Sequence, residues 1–280
     1  MNKLLNNAFT LGLLVIVAIY LFVSAPAPIE TSEKKGKLIP IKIALEILNT
    51  ENQMIRELYA SEIVGYGKKQ GLKFDENWSD EKINAGLLPA QFLRATADYL
   101  QRSDIPIGLF LGSDNAINKE NNLAGVQLQQ FIEMKKDQSE KFSFMQDIQR
   151  YSYMFPDVAS VKPCVTCHNK HSESPKKDWE LSDVMGAMTW IYPDEFVTFS
   201  ELVKMITSLR QGAAYAYGLV LTELKHYSEE FKIAEKWPRD GKYIPNKITF
   251  TKKLEEITSP VTFSEIKKIV IPQKTLMARK

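Results

Sequence analysis

The run Cys164-Val165-Thr166-Cys167-His168 holds both cysteines of the 280-residue chain and one of its three histidines. Two residues between the thiols let one short stretch reach both edges of a macrocycle, and the imidazole that follows is placed to ligate a metal. C-x-x-C-H in this form reads as a c-type haem attachment site, with Cys164 and Cys167 forming the thioethers and His168 binding iron. Three other readings fit less well. A thioredoxin-like pair asks for a βαβ context, and a zinc site asks for four ligands where only these, nearby His171 and distant His226 are on offer. A plain disulfide has no use for His168.

Haem attachment of this kind takes place outside the cytoplasm in bacteria, and the start of the chain is suited to export. After Met1-Asn2-Lys3 comes an apolar segment from Ala8 to Val23, broken only by Thr10 and Gly12, and then Ser24-Ala25-Pro26-Ala27-Pro28. Its length falls between a signal-peptide core of about 7–15 residues and a spanning helix of about 17–25. A cut after either alanine would leave a proline next, so the expectation is an uncleaved signal-anchor over residues 1–28. The rest of the chain is then expected in the periplasm, on the outer side of the inner membrane, because no later apolar run approaches this length. A net charge of +2 and interspersed charges argue against a nucleic-acid footprint, and 44% hydrophobic residues suffice for a sizeable core.

Residues 29–39 read as a polar linker. From Pro40, Ile43, Leu45, Ile47, Leu48, Met54, Ile55, Leu58 and Ile63 recur at helical spacing to about Tyr66, with Gly65, Gly67 and Gly71 expected to end the helix. Gly86-Leu-Leu-Pro89 starts a second helix, Ile105–Leu111 reads as a strand, residues 115–122 as a loop and 124–134 as a helix. Phe142 to Phe155 alternates as a hairpin, the cysteine run is expected on a loop, and Val184 to Tyr192 alternates as a half-buried strand. This order predicts an α+β domain with a small antiparallel sheet and helices on one side. Thr198-x-x-Glu201 is a capping box opening a helix of about nine turns to Tyr227, which would either dock a partner, a second copy included, or pack across the domain. Trp237-Pro238 follows it, and a basic tail with a second box, Thr262-x-x-Glu265, closes a C-terminal extension over residues 194–280.

The run from Cys164 through Asn169, His171, Ser174-Pro175 and Asp178-Trp179 to Gly186 resembles the periplasmic c-type-haem sensor domain found in front of bacterial adenylate cyclases, histidine kinases and chemoreceptors. A stand-alone cyanobacterial c-haem protein is similar. Leu88-Pro89-Ala90, Phe92 and the stretch Ile107 to Asn118 extend the resemblance over residues 40–193. It implies a PAS-like α+β fold with one covalent haem that senses redox state or a small gaseous ligand.

Two departures stand out. In the sensors the last strand leads to a second membrane helix and a cytoplasmic output domain; here Asp194 onward is amphipathic, so signalling would need a partner protein. The stand-alone relative uses a cysteine as second axial ligand, and this chain has no third cysteine.

The distal ligand is therefore open. Met54 on the first helix is the thioether candidate, although a methionine at helical spacing is also ordinary core filler. Met154, Met185, Met188, His226 or a water-filled site are the alternatives. His171, tied to the proximal run, is expected behind the ligand or at a propionate. Trp179 and Trp190 would pack the macrocycle or the core, and Asp178 and Asp183 would tether the haem segment. Three roles follow: a redox or gas sensor signalling through a partner, a monohaem electron-transfer subunit of a respiratory or photosynthetic complex, and a haem enzyme. The last has the least support, so no catalytic residues are assigned.

Overall fold

The computed structural model describes residues 38–80, 82–225 and 231–270. The expected anchor, most of the linker, and His226 lie outside them. Among the described residues no helix is long and apolar enough to cross a membrane.

Strand β1 (Ile39–Pro40) hands the chain to helix α1 (Ile41–Leu58), where Pro40, at φ −54°, stands at the N-cap. Ile41, Ala44, Leu45, Leu48, Ile55 and Leu58 form its buried stripe. The helix does not stop at Gly65. It continues through a π-helical segment, Tyr59–Gly65, and a short α2 (Tyr66–Gln70), until Gly71 takes a left-handed φ of 101°. Gly67 lies inside because of packing: a Cβ there would meet Leu72 Cδ1 at 2.9 Å.

Next come β2 (Phe74–Asp75) and β3 (Gly86–Leu87), paired in parallel, and α3 (Pro89–Gln101) with proline in its first turn. Then follow β4 (Gly108–Gly112), α4 (Gly125–Asp137), β5 (Lys141–Met145), β6 (Arg150–Val158), α5 (Lys162–Lys170) and β7 (Val184–Tyr192). The sheet runs β4-β7-β6-β5, every pair antiparallel. Mixed helix and small antiparallel sheet make this an α+β fold.

Helices cover both sides of the sheet, not one. On the α1 side lie Tyr153, Phe155, Met188 and Trp190, where the Trp190 indole N–H donates to Asn49 Oδ1 at 3.1 Å and Tyr153 donates to Glu46 Oε1 at 3.0 Å. On the other side α4 buries Phe131 and Met134 against Met154, Val184 and Ala187. The weak apolar stripe of α4 left this second core hard to see in sequence.

After β8 (Phe196–Val197), antiparallel to β1, the first capping box forms as read: Glu201 N–H donates to Thr198 Oγ1 at 3.2 Å, and Thr198 N–H to Glu201 Oε2 at 2.6 Å. Helix α6 (Phe199–Lys225) then packs along α3, burying Leu202, Met205, Leu209, Ala213, Ala216, Tyr217 and Val220 in the main core. Most of its apolar face is thus covered within this chain, while Phe199, Val203 and Tyr215 stay exposed.

Parallel β9 (Lys232–Ala234) and β10 (Tyr243–Pro245) lead to α7 (Lys247–Val270), where a basic tail was expected. Thr262 is not a cap. It sits buried in mid-helix with its hydroxyl on the Glu51 carboxylate, which also takes Arg210 Nε at 3.0 Å and Nη2 at 2.6 Å. Glu51 is 1% exposed, so one buried carboxylate pins α1, α6 and α7 together. Beside it an aromatic ladder runs Tyr59–Phe92 (4.1 Å), Phe92–Phe250 (6.3 Å) and Phe250–Tyr217 (3.9 Å), tying the π segment to α3, α7 and α6.

Candidate functional site

The cysteine run lies on a helix, where a loop was expected. Val161 is extended, Pro163 sits in the first turn of α5, and the Cys164 N–H closes on Val161 O at 3.0 Å. Helical spacing puts Cys164, Cys167 and His168 at i, i+3 and i+4, hence on one face. The helix ends at His171, whose N–H donates to Cys167 O at 2.9 Å.

None of the nine residues of α5 is buried. A helix this short is marginal in water by itself and is normally held by an apolar face against a core. Cys164 is half-buried, Cys167 exposed, and Val158, Val161 and Leu181 expose apolar side chains on the segments flanking the helix.

His168 is half-buried. Its Nδ1 is shut off from water and has no protein partner among the described residues. Burial holds its imidazole below the ordinary basicity, against the pull of Asp157, so the ring is neutral with a lone pair to give. Burial likewise pushes the Cys164 thiol up, with Asp157 adding to the rise and Arg56 opposing it. Arg56 on α1 binds Asp157 at the end of β6 with Nη1 to Oδ1 at 2.9 Å.

Beyond α5 the chain is clasped back. The Asn169 amide donates to Trp179 O and accepts from Trp179 N–H, both at 2.9 Å. Trp179 is buried, with its indole nitrogen unpartnered and the Lys176 ammonium 4.6 Å from its ring centroid. Asp178 binds Lys176 Nζ at 2.6 Å. Asp183 accepts the Glu180 N–H on Oδ2 at 2.9 Å, and its carbonyl takes the Ala159 N–H at 2.9 Å, closing the segment onto the end of β6.

Two thiols and a neutral imidazole on one face, an orphaned ring nitrogen, a helix without a core and apolar neighbours left in water all fit a covalently held haem. The Tll0287-like family model matches residues 41–193. The chain belongs to the Tll0287-like family. This is a family of c-type-haem sensor domains, and the match, which spans α5, supports haem binding by this chain. No curated protein and no solved structure matches the chain.

The other residues singled out in the sequence scatter around this Tll0287-like domain. His171 accepts the Glu173 N–H on Nδ1 at 3.2 Å, which leaves Nε2–H to face Glu76 Oε1 at 3.3 Å, in the segment after β2. Met54 sits two residues before Arg56, turned about 200° around α1, on the same flank as Glu51 and Leu58. Met154 and Met188 are buried in the two cores on opposite sides of the sheet, and half-buried Met185 offers its carbonyl to Ser113. Trp190 is a core residue bonded to Asn49. Sequence reasoning missed Arg56 and Asp157, which lie 101 residues apart and carry no shared motif. Asn169 stands in the motif, but sequence reasoning gives it no role, because its partner Trp179 lies ten residues on.

Proposed function

We propose that this protein is a membrane-anchored periplasmic monohaem sensor. In this reading Cys164 and Cys167 hold one haem c, His168 is its proximal ligand, and the α+β body serves as a PAS-like scaffold that reports redox state or a diatomic gas to a partner protein. When bound, the haem supplies an iron that changes oxidation state or takes a small ligand. The observation that carries the reading is α5, a helix that presents all three attachment residues and has no fully buried residue of its own. The apolar segment Ala8–Val23 supports the anchor, and attachment outside the cytoplasm agrees with it.

The role assigned is sensing, not turnover. Asn169 would fix the segment behind the ligand through Trp179, and Arg56 with Asp157 would link the site to α1. That helix runs from Arg56 back to Ile41, beside the point where the chain enters the body. Met54 lies on the Glu51 flank of α1, about 200° round from Arg56, so we assign no distal ligand.

The exposed thiol of Cys167 favours a second reading, since an accessible edge suits electron exchange with a respiratory or photosynthetic complex. Both are tested by reducing the haem-loaded protein, adding carbon monoxide or nitric oxide, and following the spectrum together with amide exchange. A sensor shows altered exchange in residues 41–58 between oxidised and reduced, or free and ligated, protein. An electron carrier shows a spectrum indifferent to either gas and unchanged exchange.

A further inference from the structure

We propose that the end of the body opposite α5 carries a surface that rests on the lipid bilayer. Leu38, Phe142, Phe196, Phe199 and Val203 are large apolar residues that are 38–57% exposed. They belong to one end of the fold. Phe196 pairs with Pro40 across β1 and β8, and Leu38 immediately precedes that strand pair. The Ile41 N–H donates to Glu195 O at 2.8 Å, fixing the start of α1 beside the same turn. Phe199 and Val203 stand four apart on the first turns of α6, on one face. Phe142 stacks on Tyr151 at 5.9 Å, and Tyr151 has its phenol pushed up by burial and by the Glu195 carboxylate beside it.

Apolar side chains exposed together at one end of a fold suit an interaction surface, and a mixture of phenylalanine with aliphatic residues suits the boundary between headgroups and acyl chains. The chain itself points to the occupant. The body begins at Leu38, within the patch, and the 14 residues Ser24–Lys37 separate it from the apolar segment ending at Val23. Fully extended, 14 residues reach about 50 Å. A bilayer held that close by the anchor is therefore always within reach, and a weak surface suffices because the encounter is intramolecular. The opposite end follows: β6 runs from Arg150 to Val158, a span of about 26 Å, so the haem helix would face the periplasm. This inference rests on the anchored reading above.

The test uses the full haem-loaded chain in phosphatidylethanolamine–phosphatidylglycerol vesicles containing a lipid with a photoreactive diazirine near the glycerol. After illumination, labelled peptides are identified by mass spectrometry. The expected result is label on peptides holding Phe142 and Phe196 to Val203, none on those holding Val158 to Leu181, and loss of the body label in Phe199→Ser with Val203→Ser while Ala8–Val23 stays labelled. Both positions are exposed, so unchanged haem content and helicity will show that the variant is folded. Label confined to Ala8–Val23 overturns the surface and leaves the anchor standing. Protein that does not float with the vesicles overturns both. Absence of body label together with sedimentation as a dimer that Phe199→Ser with Val203→Ser dissociates assigns the patch to a second copy and overturns the bilayer reading.

Discussion

Asn169 and Trp179 hold each other by a matched pair of 2.9 Å hydrogen bonds, side-chain amide to backbone N–H and C=O, across the segment that follows α5. Asn169, the α5 residue after His168, is thereby fastened to a buried tryptophan, and its side chain gives α5 a footing on the body.

Asn169→Ala removes both bonds and leaves the Trp179 backbone groups unpaired, at a cost of about 1–3 kcal/mol. Chemical denaturation of the haem-loaded protein should register that loss, with faster amide exchange over residues 171–183. Unchanged exchange there would mean that the clasp does not hold the segment.

Glu51 is a buried carboxylate shared by Arg210 and Thr262. Breaking such a pair from one side strands the other charge, so Glu51→Ala should lower unfolding free energy by about 3–5 kcal/mol. Glu51→Met together with Arg210→Met should recover much of it, because apolar replacement of both partners is often close to neutral. A double variant no better than the single would show that the stranded charge is not the source of the loss.

Burial raises the phenols of Tyr59 and Tyr217 well above their usual value. A folded-state pKa above the unfolded one means stability that is whole below about pH 10 and drains away as pH climbs toward the folded value. Tyr217 donates to Pro245 O at 2.6 Å, so Tyr217→Phe should cost about 1–3 kcal/mol at neutral pH. Above about pH 10 the variant should lose stability less steeply than the parent, as alkaline unfolding curves will show.

Cys164 is half-buried with its thiol pushed up, whereas Cys167 is exposed. In apo-protein produced without haem maturation, iodoacetamide should alkylate Cys167 first, since the thiolate is the nucleophile and access governs the rest. Equal rates, read by peptide mass spectrometry, would show that α5 opens when empty.

Much of this was legible because local chemistry and tertiary role agree. The strand read at Val184–Tyr192 forms, although it is buried on both faces and not half-buried, since it sits between two cores, and Thr198 with Glu201 caps α6 as their spacing required. Other features depend on partners far along the chain. Thr262 has the spacing of a cap, but Glu51 draws its hydroxyl into a helix that also contains Pro260, a residue that ordinarily ends one. The cysteine run gives no helical stripe to read, since no residue of α5 is buried against the body. Strands of two or three residues such as β2 and β3 are defined by pairing alone.

A single haem held covalently at α5 underlies both functional readings, and intact-mass measurement of protein co-expressed with haem-maturation machinery decides whether it is there. The chain should be heavier by one haem, resistant to acid–acetone extraction, with the mass increment lost in Cys164→Ala with Cys167→Ala. A chain of unmodified mass under these conditions, or haem that extracts freely, would overturn covalent attachment at this helix.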